Sequence, residues 1–215
     1  MLRKSAVALL LLGCGDGEPS GPALIAGSSF CPEGEDAAFT PSAAPDDGAP
    51  LSETAIAESA CGAVERQYAT VASPHVPSCS EVSYGTDPPT SGSHYDQWAA
   101  FGSYERPVPR GFYVHSMEHG AVVVLYSCND CAEEVAEAQA MIDALPVDTA
   151  CSAEVKRRVI LTPDPLLGAR WAAAAWGFTL EADCFETEVF DAFVRAHYAG
   201  GPEDFCDGGV RPAEG

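Results

Sequence analysis

Of the five histidines in this 215-residue chain, His94, His115, His119 and His197 stand where side-chain chemistry would be useful. Imidazole is the commonest metal ligand and titrates near neutrality without help. The spacing of His115 and His119 sets a geometric condition. In an extended strand their Cα atoms would lie ~13 Å apart, too far to share an ion, whereas one helical turn brings them to ~6 Å on one face. Gly120 follows at once, where a short turn would want its cap, so Ser116–Gly120 is read as a tight turn. His94, on a Pro-Pro loop, could close the site as a third ligand. Met117 offers a soft thioether that favours copper, while Glu118 would favour zinc or act as a base. The expected site is therefore His94, His115, Met117 and His119 around one transition-metal ion. Copper ranks ahead of zinc because intrinsic affinity peaks there in the divalent series. Two alternatives stay open: these histidines only hydrogen-bond loops together, or they take another catalytic role. His197, at the end of a helical segment, reads as a C-terminal cap.

A second constellation is Cys128-Asn129-Asp130-Cys131, between an apolar run and a helical one. Thioredoxin-like folds carry their redox pair in that setting, because a helix N-terminus lowers a thiol pKa. Asp130, Glu133 and Glu134 would oppose a thiolate, and no aromatic-Cys-Gly-Pro-Cys pattern is present. Structural disulfides are the main reading of the cysteines and thiol–disulfide chemistry at Cys128 and Cys131 the alternative. A metal thiolate is weaker, since only one C-x-x-C occurs. The chain has no Gly-x-Ser-x-Gly, phosphate loop, dinucleotide fingerprint or His-Glu-x-x-His, so hydrolase and nucleotide readings have little behind them. A binding module is favoured over an enzyme.

The elements that must position these groups follow from periodicity. Phe112–His115 is a short strand candidate and Ala121–Tyr126 a buried strand. Ala132–Leu145 has apolar residues at helical spacing, an acidic first turn and Pro146 after it, which makes a helix. Arg158–Thr162 is a second strand, Trp171–Leu180 a third, and Thr187–His197 a final helix. Val64–Val71 and Cys79–Tyr84 are short elements near the domain entrance. The strand–helix–strand–strand–helix core predicts an α+β fold, a mixed β-sheet with packed helices stapled by disulfides. A thioredoxin-like arrangement would also fit.

The start of the chain reads as processing signal. Arg3 and Lys4 precede a short apolar stretch that runs into Leu11-Leu12-Gly13-Cys14, which resembles the lipobox of bacterial lipoproteins. Residues 1–13 are then a signal peptide. Cys14 is the lipidated residue, and the partner it implies is a membrane, held through the anchor. Residues 14–59, rich in Gly, Pro, Ser and acids, form a flexible tether, and 60–210 a single domain. The expected location is the cell envelope outside the cytoplasm, with the outer membrane or periplasm favoured. Of eleven basic residues two fall in the signal, so the remaining chain has nine against 32 acidic ones. No phosphate-tracking surface can be built from that balance, and nucleic acid is excluded as a partner. Nine cysteines less Cys14 leave eight, an even number that reads as up to four disulfides in an oxidising compartment. Their connectivity stays open.

The chain also resembles an uncharacterised bacterial family, domain of unknown function 3105. The resemblance rests on Pro88-Pro89-Thr90-Ser91-Gly92-Ser93-His94-Tyr95 with Trp98, then Gly102-Ser103-Tyr104 and Val114-His115-Ser116-Met117-Glu118-His119-Gly120-Ala121-Val122-Val123. It continues in Ala175-Trp176-Gly177, Phe193-Val194-Arg195-Ala196-His197 and Gly201-Pro202-Glu203. It covers roughly Cys79 to Asp204 and implies an extracytoplasmic domain, often membrane-tethered. It implies no activity.

Overall fold

The computed structural model of the protein describes residues 30–31 and 48–211, so the expected signal segment (1–13), the expected lipidation at Cys14 and most of the expected tether fall outside the described residues. The strands are β1 (Ser52–Ala55), β2 (Val64–Gln67), β3 (His75–Val76), β4 (His94–Tyr95), β5 (Gly102–Ser103), β6 (Val122–Tyr126), β7 (Val159–Pro163), β8 (Trp171–Ala175) and β9 (Phe178–Ala182). Three helices are described: α1 (Arg110–Glu118), α2 (Ala132–Ala144) and α3 (Thr187–His197).

Seven strands form one mixed sheet in the order β1-β2-β9-β8-β6-β7-β5. Next to the central strand β8 lies β6, whose Val122–Leu125 run is fully buried and pairs in parallel with β7 on its other side. Such uninterrupted apolar runs suit a strand covered on both faces. Alternation along these strands separates two cores. Val123, Leu125, Ile160, Ala172 and Ala174 pack with α1. Val122, Val124, Val159, Leu161, Ala173 and Ala175 face the other way, under α2 and α3. The alanines of β8, buried on both faces, let both layers approach closely. The fold is α+β, three layers deep.

Several expectations are corrected. Phe112–His115 is not a strand and Ser116–Gly120 not an isolated turn; Phe112–Glu118 belongs to α1, with His119 as its C-cap. All nine residues of α1 are buried, so no polar stripe marks its period, and its Phe-Tyr-Val run has the composition of a strand. Trp171–Leu180 is two strands, not one. A two-residue connection, Trp176-Gly177, joins Ala175 to its partner Phe178, and Gly177 supplies φ +81°. Cys79–Tyr84 forms no regular element, and the strand in Val64–Val71 ends at Gln67. The ordered unit also begins before residue 60, because β1 pairs antiparallel with β2 at the sheet edge.

The eight cysteines form four disulfides: Cys31–Cys79, Cys61–Cys184, Cys128–Cys131 and Cys151–Cys206. These bridges fit an extracytoplasmic, oxidising setting. No helix among the described residues is long and apolar enough to cross a membrane.

Candidate metal centre

Two backbone features bring the histidines together. First, β3 and β4 form a separate parallel pair in which His75 is the register partner of His94. Neighbouring residues in register project to the same side, and the two rings lie 4.8 Å apart between centroids. Gly92 (φ +113°) makes the turn that delivers His94 to this pair. Second, α1 puts His115 and Glu118 three residues apart on one face, beside β4.

The result is a convergence on one carboxylate oxygen. Glu118 Oε2 is 3.0 Å from His94 Nε2, 3.5 Å from His75 Nε2 and 4.0 Å from His115 Nε2. His94 and Glu118 are buried, whereas the His75 side chain is 52% exposed and marks the side open to solvent.

A hydrogen bond at Nδ1 fixes the tautomer of each buried ring. His94 Nδ1 lies 2.9 Å from the Gly92 carbonyl, and His115 Nδ1 lies 2.6 Å from the Tyr95 carbonyl. A carbonyl oxygen only accepts, so both Nδ1 atoms carry their proton and donate it. A ring that is neutral then has a bare Nε2 lone pair, and both Nε2 atoms are turned toward Glu118 Oε2. Burial, above all, pushes the His115 imidazole down to about 4, against the opposing pull of its bond to Tyr95. At neutral pH that ring is uncharged, and its lone pair faces a carboxylate that can only accept. Two acceptors turned toward each other in a buried place call for a cation between them. A carbonyl holding Nδ1–H while Nε2 stays free is also how metal-binding histidines are oriented.

His119, the C-cap of α1, sits one place along. Its ring is 4.7 Å from that of His115, and its Nε2 is 3.3 Å from Glu203 Oε2. Burial lowers the His119 pKa, opposed by the charges of Glu203 and Glu118. Glu118, His119 and Glu203 make a second close group that shares Glu118 with the first. Trp98 and Phe205 wall it, with ring centroids 4.7 and 5.2 Å from that of His119.

Of the four expected ligands, His94 and His115 meet, His119 lies in the neighbouring group, and Met117 is elsewhere. Met117 is fully buried in the apolar cluster between α1 and the sheet. At ~100° per residue it points ~200° around the helix from His115. His75 is the ligand candidate that spacing missed. Its place depends on pairing with a distant strand, and the only local signal was an isolated histidine between Pro74 and Pro77. His197 is occupied structurally: its Nε2 is 3.1 Å from Glu65 Oε1 and its ring stacks on Phe178.

The family model described as "Protein of unknown function (DUF3105)" matches residues 75–208. No curated protein and no solved structure matches the chain.

Proposed function

We propose, for a chain that belongs to the DUF3105 family of proteins of unknown function, that it holds one divalent transition-metal ion between His75, His94, His115 and Glu118. The observation that carries this reading is the set of three Nε2 atoms within 3.0–4.0 Å of Glu118 Oε2. Bonds of ~2.0–2.1 Å to a tetrahedral zinc put neighbouring ligand atoms ~3.3 Å apart, so the separations straddle what one ion needs.

The donor set bears on which metal. With Met117 in the core, the thioether that spoke for copper is gone from the site. Three imidazoles and a carboxylate form a borderline-to-hard set that suits zinc, and we rank zinc ahead of copper on that ground. Copper(II) remains the competitor, through its higher intrinsic affinity. Four protein ligands fill a tetrahedron, which favours holding the ion over activating water on it.

The reading includes the setting. The Leu11–Cys14 signal supports a lipid anchor at Cys14, and the disulfides support an extracytoplasmic location. Dialysis against each ion followed by metal analysis tests the site. One equivalent in wild type and its loss in His75→Ala and Glu118→Gln is expected. Equal occupancy in wild type and in a His94→Ala/His115→Ala double variant overturns the proposal.

A further inference from the structure

We propose that the Cys128–Cys131 disulfide is a reversible redox centre that exchanges electrons with a dithiol protein of the same compartment. The inference is independent of the metal site, which lies beyond the opposite end of β6. Among the four bridges, three join positions 48, 123 and 55 residues apart, whereas this one joins positions 3 apart. Loop-closure stabilisation grows with separation, so stability explains this bridge least well of the four.

Its position has chemical value. β6, α2 and β7 form a parallel β–α–β unit, and the β8–β9 hairpin and α3 extend the sheet as β9-β8-β6-β7. The pair sits where β6 ends and α2 begins, with Cys131 as the N-cap of a 13-residue helix. That is the placement in which a helix N-terminus stabilises a thiolate. Cys128 is partly exposed and Cys131 is only 4% exposed, an asymmetry that leaves one sulfur open to attack.

The sequence raised an objection in Asp130, Glu133 and Glu134, and the structure answers most of it. Arg170, delivered by the segment before β8, reaches Asp130 with Nη1 at 3.0 Å and Glu134 with Nη2 at 3.1 Å. Glu134 also accepts the Phe185 backbone N–H at 2.9 Å. Two of the three carboxylates are thus paired away from the sulfurs.

The exchange balances as follows. A thiolate of the donor attacks Cys128 Sγ, a mixed disulfide forms, and Cys131 leaves as a thiolate facing the first turn of α2. The donor's second thiol, as thiolate, attacks its own sulfur in the mixed disulfide and releases Cys128. Two electrons and two protons pass to the protein, and the donor leaves as a disulfide.

Dithiothreitol is the probe. The full mature protein is equilibrated with graded ratios of reduced to oxidised reagent, alkylated and mapped by mass spectrometry. Cys128 and Cys131 should open at a ratio at least ~10-fold lower than any other bridge, with unchanged circular dichroism and full closure on re-oxidation. Opening only together with the other three, or only on unfolding, overturns the proposal. Oxidised glutathione then identifies the attacked sulfur: Cys131→Ser should accumulate a mixed disulfide at Cys128, and Cys128→Ser should not at Cys131. The reverse pattern also overturns it.

Discussion

His75 and His94 are direct partners across the parallel β3–β4 pair, their imidazoles 4.8 Å apart, although one is half exposed and the other fully buried. This difference separates folding from binding. His75 can be removed with little loss of packing, because much of its surface already faces water. His75→Ala should therefore melt close to wild type while losing at least ~100-fold in zinc affinity, since even outer partners of metal ligands are worth 10–100-fold. Calorimetric titration beside a thermal melt gives both numbers. Unchanged affinity would remove His75 from the ligand set.

Acidification has a sign that can be worked out. The free imidazole of His115 titrates near 6.5 and burial pushes it down to about 4 in the folded protein. Between those values the unfolded chain takes up a proton that the folded one refuses, so stability decreases as the pH is lowered. Its contribution is whole above ~6.5 and is lost progressively toward 4. In chelator-treated protein the urea midpoint should drop from pH 6.5 to 5.5, before most carboxylates titrate, and His115→Asn should flatten that slope. Bound metal should be released on acidification as well, because protons compete for the same lone pairs.

Gly201 tests how the site is held from behind. A Cβ there would lie 2.2 Å from the Glu118 carbonyl oxygen and 2.5 Å from the Gly120 nitrogen and the Met117 carbonyl oxygen. These are backbone atoms that cannot swing aside. Gly201→Ala should shift the end of α1 and break the bond from the Glu203 N–H to the Glu118 carbonyl, 3.0 Å long. We expect weaker metal binding and a lower melting temperature together, in contrast to His75→Ala. A wild-type zinc affinity in Gly201→Ala would show that the end of α1 does not position Glu118.

Two helices and one strand were legible in the sequence. Ala132–Leu145 and Thr187–His197 carry apolar residues at the helical period and Arg158–Thr162 an uninterrupted apolar run, and each is found within a residue or two of where that pattern puts it. α1 was hidden because burial on every side removes the polar positions that betray a helix. The site was half legible for a related reason. His115 and Glu118 are local neighbours, but His75 joins them only through a strand pairing that spacing cannot reveal. Met117 reads as a ligand only while Ser116–Gly120 is a turn; in a helix its side chain faces the core.

Disulfides should differ in what they contribute. Closing the 123-residue separation of Cys61–Cys184 is worth about 5 kcal/mol by loop entropy, against about 2 kcal/mol for Cys128–Cys131. At ~2–4 °C per kcal/mol, Cys61→Ser/Cys184→Ser should lower the melting temperature by roughly 10–20 °C and the short bridge by only a few degrees. Reduction of all four should lower it by well over ~10 °C. Differential scanning calorimetry of both double variants decides the order, and an unchanged melt after full reduction would mean that the two apolar cores stand alone.

Cys31 changes the reach of the molecule. It is bridged to Cys79, just beyond β3 and His75, and Phe30 packs against the rings of Tyr104 and Phe112. On the proposed anchoring at Cys14, the leash ends at Cys31 and not where the sheet begins. Roughly 17 residues then set the standoff, at most ~60 Å fully extended, and the loop between Cys31 and β1 adds nothing to it. Through Cys79 the point of attachment lies four residues along the chain from His75.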